Sequence, residues 1–539
     1  RGLILDRDDR VLADSRPSYT VLAVPRDILR RDASLDLLAE LLEAPREVIE
    51  ERLRSGPSHL PRVVRHDVSF AQVSRVAERE EELPGVSLEV KHVRSYPRGI
   101  MAAHLLGQVG EVSEHEVTDR AAEAYRLGDF VGRLGLERVY ERDLRGKDGE
   151  RYLEVDVVGR VVGAFRGREP RAPTPGSTLR LYLDVGLQAA AESCLVGRRG
   201  AVCLLDVRTG GVRVLASAPA FDPNLFATGI NSEDWSRLNT DPDKPLLNRT
   251  VQALYAPGST FKMVSFALTL EERIAGLRQR LGSPCVGGYQ FGNRWFRCWE
   301  EEGHGFLDLQ GALVHSCDVY FYQIAEASDV DELAGFSRGA GLGAPTGVDL
   351  PQELRGNVPT AAWLDERYGK RGWTRGAMLN LIIGQGEYLV TPLQMAAYAA
   401  GLANGGPRPA PRIVRSIEAP DGTVRTVPTR QAGEWELPSR TMERIRAAME
   451  LVVTDEEGTG RSCRVEGYMP AAKTGTSENS HGRPHAWFVG YAPAHDPEVA
   501  FAVLVEAGGH GSESAAPIAK VLLKGLAPPD TAAVTGDAS

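Results

Sequence analysis

The sequence predicts an α+β chain built from more than one domain, and three observations carry that expectation. Its 539 residues exceed what one ordinary core organises. Strand patterns recur: "AVCLLDVRTGGVRVLAS" (201–217) alternates and turns at Thr209-Gly210-Gly211, while "HAWFVGYAP" (485–493) and "EVAFAVLVEAG" (498–508) read as two further sheet strands. Helical patterns fall between and after them, in "TFKMVSFALTLEE" (260–272), "TPLQMAAYAAGLAN" (391–404) and the closing "APIAKVLLKGL" (516–526).

The amino-terminal 171 residues are rich in charge and short apolar stretches. "ASLDLLAELLEAPREVIEERLR" (33–54) predicts two amphipathic helices broken near Pro45. "YLEVDVVGRVVGAF" (152–165) predicts a strand, a turn at Gly159 and a second strand. The basic, proline-bearing "RGREPRAPTPGS" (166–177) is the expected linker into a second domain over 172–526. "TLRLYLD" (178–184) alternates as a strand, and Thr391 with Pro392 predicts a capped helix start. The small, polar tail over 527–539 is expected to be disordered.

Composition excludes several classes. A net charge of −10 argues against a nucleic-acid partner and favours small or peptide-like ones. No apolar run reaches the roughly 18–20 residues that span a membrane. The chain starts at Arg1 without Met, so an amino-terminal anchor is expected to be absent from it. Eight of the 63 basic residues are Lys, which gives any well-spaced Lys extra weight. Six cysteines in such a length make no disulfide scaffold.

One four-residue word occurs twice, in "PGSTLR" (175–180) and "PGSTFK" (257–262). A serine hydroxyl is a poor nucleophile until a base takes its proton. In the second copy the word enters a helix, so Ser259 and Lys262 share a face, and Lys can act as a neutral base. In the first copy Ser177 and Arg180 lie on a strand with opposite-facing side chains, and Arg keeps its proton. Ser259 is also the only serine three residues before a Lys. Alone, Ser-x-x-Lys fits an ordinary capped helix start better than a catalytic pair. Two later stretches change the balance: "HSCDVYFY" (315–322), with Ser316 and Asp318, and "AAKTGTSEN" (471–479), with Lys473, Thr474, Gly475 and Thr476.

Ser-x-x-Lys, Ser-x-Asp and Lys-Thr-Gly, in that order, resemble the motif set of penicillin-binding proteins. "RGLILDRDDRVLA" (1–13), "GRLGLERVYERDLRGKDG" (132–149) and "IGQGEYLVTPLQMA" (383–396) extend the resemblance to the class B members and over nearly the whole chain. Ser-Cys-Asp-Val-Tyr-Phe-Tyr looks most like the cell-elongation group, penicillin-binding protein 2. Asp318 stands where much of the wider superfamily has Asn, which changes the local charge.

The resemblance implies an elongated pedestal of dimerisation type (1–171) and a serine β-lactamase/transpeptidase-like domain with a central antiparallel sheet flanked by helices. It implies a D,D-transpeptidase that cross-links peptidoglycan stem peptides ending in D-Ala-D-Ala and is acylated by β-lactams. Ser259 would be the nucleophile and Lys262 its base, with Ser316 and Lys473 relaying a proton. Asp318 stands in the middle motif; Thr474, Gly475 and Thr476 would hold the substrate, and the Ser259 and Thr476 amides the oxyanion. No cofactor for catalysis is implied. A membrane glycosyltransferase is the implied pedestal partner, on the periplasmic face of a bacterial inner membrane. A D,D-carboxypeptidase, a β-lactamase, a septal or sporulation transpeptidase, and a non-enzymatic sensor or scaffold remain as alternatives.

Cys285, Cys298, His304 and Cys317 occur at spacings of 13, 6 and 13. Three Cys and one His suit a closed, structural Zn²⁺ site. A Cys285–Cys298 disulfide with Cys317 as a buried thiol is the alternative. Cys194 and Cys203 fall in helix and strand patterns as core thiols.

Overall fold

The computed structural model describes residues 1–54, 57–119, 125–126, 128–155, 161–370, 372–479 and 482–528. Two sheets organise the chain. The larger has seven strands, in the order Val424–Thr426, Val414–Glu418, Thr178–Leu181, Ile4–Leu5, Val11–Ala23, Arg62–Val68, with Val86–Ser95 also paired to Val11–Ala23. Ile4–Leu5 lies parallel to Thr178–Leu181, so the start of the chain is stitched to strands beyond the pedestal.

Within the pedestal, helices Asp32–Leu42 and Arg46–Arg54 flank Pro45 as expected, because proline has no amide hydrogen to donate into a continuing helix. Their Leu35, Leu38, Leu42, Ile49 and Leu53 pack against Val21 and Val64 of the sheet. The "GRLGLERVYERD" stretch builds a buried ion cluster. Glu137, fully buried, accepts from Arg1 and Arg94 at 2.6 Å each, and Glu141 accepts from Arg1, Tyr125 and the Gly132 amide. Strands Leu153–Val155 and Val161–Ala164 pair antiparallel; Gly159, the expected turn, lies outside the described residues.

The expected linker is not a free one. Thr174 and Arg171 bridge antiparallel to Lys147 and Glu150, so residues 166–177 fold back on the pedestal. The residues between its prolines supply the amides and carbonyls that pair.

The second sheet has five antiparallel strands, ordered Val212–Ala218, Gly200–Asp206, Val499–Val505, His485–Ala492, Ala471–Ser477. Strand periodicity separates its two faces. Along His485–Ala492, Trp487, Val489 and Tyr491 join the core containing the wholly buried helix Pro392–Ala403. Ala486, Phe488 and Ala492 join the opposite core, beneath helices Val185–Cys194 and Ala516–Leu526. Thr391 and Gln394 close the Pro392–Ala403 helix with a reciprocal capping box. Ala471–Ser477 is left as an edge strand. Cys203 is buried in the sheet and Cys194 half-buried on its helix. Of the tail, residues 529–539 lie outside the described residues. No helix among those described is long and apolar enough to cross a membrane.

Candidate active site

Ser259 sits in a single 3-10 turn, Gly258–Phe261, that leads into the buried helix Lys262–Glu271. The turn closes through the Lys262 amide donating to the Ser259 carbonyl. In a 3-10 turn, side chains three apart eclipse, which puts Lys262 directly over Ser259. The sequence pattern pointed to a helix here, and the tighter turn serves the pairing better. Gly258 explains the tightness: its φ is +53°, and a Cβ there would lie 2.5 Å from the Thr476 carbonyl oxygen.

Lys262 is fully buried. Its Nζ donates to Asp318 Oδ1 at 2.7 Å, to the Ser316 carbonyl at 2.8 Å and to Ser316 Oγ at 3.3 Å. Asp318 begins the aromatic helix Asp318–Glu326, whose Phe321 ring lies under the Lys262 amine. Burial raises the Asp318 carboxyl above the usual carboxylate range, against the pull of Lys262. Ser316 has φ +56°, a left-handed backbone that non-glycine residues seldom adopt.

The edge strand Ala471–Ser477 runs past the Ser259 turn. Lys473 is fully buried, with Nζ donating to the Thr474 carbonyl at 3.0 Å. Burial first, then repulsion from Lys262, hold its amine well below the usual lysine range, with Asp318 opposing. Of the two buried lysines, Lys262 is the one paired to a carboxylate. A Cβ on Gly475 would lie 2.8 Å from the Thr260 methyl and 3.1 Å from the Pro257 carbonyl, so only glycine lets strand and turn meet. Thr476 is half-buried.

Three supporting residues were not singled out from sequence. Gln385, inside the "IGQGEYL" stretch, donates to the Thr476 carbonyl at 2.9 Å and accepts from the Glu478 amide at 3.3 Å. Thr459 accepts the Thr474 hydroxyl at 2.7 Å. Trp299 donates its indole N–H to the carbonyls of His315 and Ser316, both at 3.1 Å, and its amide to Asp318 Oδ2 at 3.3 Å. A glutamine between two glycines and a tryptophan directly after Cys298 were the available signals.

Cys285, Cys298, His304 and Cys317 converge beside this site, with one donor atom from each within 4.8 Å of the others. The Cys285 and Cys298 sulfurs lie 3.5 and 3.6 Å from His304 Nδ1. All six cysteines are free thiols, so the Cys285–Cys298 disulfide alternative is not the arrangement found. Bonds of about 2.3 Å to sulfur and 2.0 Å to nitrogen give a tetrahedral site edges of about 3.5–3.8 Å, so the donor set fits Zn²⁺. Cys298 Sγ also accepts the Asp318 amide at 3.4 Å, tying the cluster to the helix that carries Asp318.

The first copy of the four-residue word does none of this. Thr178–Leu181 is a strand, and Arg180 is paired with Asp9 and Glu418.

A serine three residues before a buried lysine, opposite a Lys-Thr-Gly edge strand, is the arrangement that the motif set of penicillin-binding proteins leads one to expect. Comparison with known proteins agrees. The profile of the penicillin binding protein transpeptidase domain matches residues 200–524, and that of the penicillin-binding protein dimerisation domain matches residues 1–181. The chain belongs to the penicillin-binding protein transpeptidase family. It is 34% identical to the peptidoglycan D,D-transpeptidase MrdA of Acinetobacter baumannii, over 96% of this chain and 79% of that protein. Penicillin-binding protein 2 of Helicobacter pylori, solved in complex with MreC, superposes with a TM-score of 0.85 at 29% identity, covering 97% of each chain. A chain from a peptidoglycan synthase complex, described as coordinating polymerisation and crosslinking, superposes with a TM-score of 0.75 at 31% identity, covering 97% of this chain and 89% of that one.

Proposed function

We propose that this protein is a peptidoglycan D,D-transpeptidase of the cell-elongation type, working through an acyl-serine intermediate. The observation that carries the reading is the buried Lys262 amine, held 2.7 Å from Asp318 and 3.3 Å from Ser316 Oγ, on the residue that closes the Ser259 turn. Ser259 Oγ attacks the carbonyl of the penultimate D-Ala of a stem peptide, and Lys262 Nζ takes the hydroxyl proton. Asp318 stabilises the ammonium as it forms. The Ser259 and Thr476 amides receive the developing oxyanion, each such donor contributing ~3 kcal/mol in the transition state. Collapse breaks the peptide bond, and the proton passes from Lys262 through the Ser316 hydroxyl to the departing D-Ala nitrogen.

Lys473 and the hydroxyls of Thr474 and Thr476 receive the substrate's terminal carboxylate. Burial lowers the Lys473 amine below the usual lysine range, and an arriving anion opposes that shift. An amine of a second stem peptide then attacks the ester, restoring the Ser259 hydroxyl and closing the cross-link. A β-lactam acylates the same oxygen by opening its ring.

The pedestal over 1–171 carries the catalytic domain over 172–526 through the seven-stranded sheet, on the periplasmic face of a bacterial inner membrane. Its partner is a membrane glycosyltransferase; the relative from a peptidoglycan synthase complex supports that reading. Zn²⁺ held by Cys285, Cys298, His304 and Cys317 is structural, clamping the Gly288–Phe291/Arg294–Arg297 hairpin against the segment with Ser316 and Asp318. Incubation with a pentapeptide substrate and an amine acceptor tests the activity. Cross-linked dimer with stoichiometric D-alanine is expected; release of free tetrapeptide acid alone would mark a carboxypeptidase instead.

A further inference from the structure

We infer that Trp299 is a positioning residue for acylation: its indole N–H fixes the Ser316 carbonyl, and its amide N–H fixes Asp318, so that the two nearest of the three acceptors of the Lys262 amine are held from behind. The inference rests on the acyl-serine reading above and deepens it. The Ser316 carbonyl oxygen takes two donors, Lys262 Nζ at 2.8 Å and Trp299 Nε1 at 3.1 Å. Asp318 divides its two oxygens the same way, Oδ1 to Lys262 at 2.7 Å and Oδ2 to the Trp299 amide at 3.3 Å. One residue thus stands behind the two nearest groups that orient the base.

Ser316 makes this support necessary. Its φ of +56° is a strained backbone for a serine, and such strain persists only where the surroundings over-determine it. With the indole N–H removed, the carbonyl keeps Lys262 as its side-chain donor, and the peptide after Ser316 is freer to turn. Ser316 Oγ, 3.3 Å from the amine, moves with that backbone. Lys262 Nζ then keeps Asp318 Oδ1 as its one firmly held acceptor, and its placement beside the Ser259 turn loosens. Core packing does not account for Trp299, since the residue is 45% exposed. Its ring touches His304 edge-on at 5.4 Å, and it directly succeeds Cys298, so the Cys/His cluster sets where the indole points.

The test uses the full chain and tracks the rate of acylation by a fluorescent penicillin, with melting temperature and zinc content measured alongside. Trp299→Phe keeps an aromatic ring and deletes the N–H. Its acylation rate constant is expected to fall about tenfold, with half-saturating penicillin concentration unchanged. Trp299→His restores a ring N–H two bonds beyond Cγ, where the indole carries its own, and is expected to recover most of the loss despite its smaller ring. The predicted order is Trp, then His, then Phe. A space-filling role gives the reverse order of the two variants, because Phe better replaces apolar bulk. Wild-type speed in Trp299→Phe, or Phe at or above His, would overturn the inference even if both variants melt earlier. A wild-type protein that takes no label would instead remove the acyl-serine reading on which the inference stands.

Discussion

The same four residues, Pro-Gly-Ser-Thr, fold in opposite ways at 175–178 and 257–260. In the first copy Gly176 lies against the Leu144 carbonyl, where a Cβ would overlap, and the chain continues as a strand. Its Arg180 joins Asp9 and Glu418 in a surface-facing ion group across the seven-stranded sheet. In the second copy Gly258 takes a left-handed backbone, the chain tightens into a 3-10 turn, and Lys262 is buried against Asp318. The word itself holds no chemistry. The residues after it decide the outcome: an alternating, half-exposed run makes a strand, and an unbroken apolar run makes a buried helix that desolvates the lysine.

The largest expected effect separates the two serines. Ser259→Ala is predicted to abolish labelling by fluorescent penicillin, and Ser177→Ala to leave it at the wild-type level; gel fluorescence checks both. Next come the cations. Lys262→Arg keeps the positive charge but cannot accept the serine proton, so acylation should fall by about 10²–10⁴-fold in stopped-flow assays. Arg180→Lys should leave acylation unchanged and cost under about 1 kcal/mol in denaturant melts, as expected of an exposed ion group. The glycines rank third. Gly258→Ala forces the turn off the Thr476 carbonyl and should slow acylation more than it lowers stability, whereas Gly176→Ala should lower stability with little change in acylation per folded molecule. The smallest effect is indirect. Removing zinc by chelation should lower the melting temperature and slow labelling severalfold at Ser259, with recovery on adding Zn²⁺; metal analysis finding none in protein purified without chelator would count against the clamp.

The catalytic site was legible where its chemistry is local. Ser259 and Lys262 are three apart, Ser316 and Asp318 two, Lys473 to Thr476 contiguous, so each motif is a short word with its own periodicity. The Cys and His spacings likewise suggested a donor set that the fold brings together. What escaped were contacts made only by tertiary approach. Gln385 reaches Thr476 across 91 positions, and Trp299 reaches Ser316 across 17. Neither side chain carries a reactive group that would mark it. The pairing of the 166–177 segment was hidden for a related reason: its partners at 147 and 150 bear no strand pattern of their own. The different surroundings of the two lysines were also out of reach of sequence: Lys262 meets Asp318, whereas Lys473 donates to the Thr474 carbonyl.

Peptide mapping by mass spectrometry after penicillin exposure tests the central claim most directly. A single adduct of the intact antibiotic on the peptide containing Ser259, with the Ser177 peptide unmodified, is the predicted result. An unmodified Ser259 peptide, or an adduct on any other residue, would contradict it.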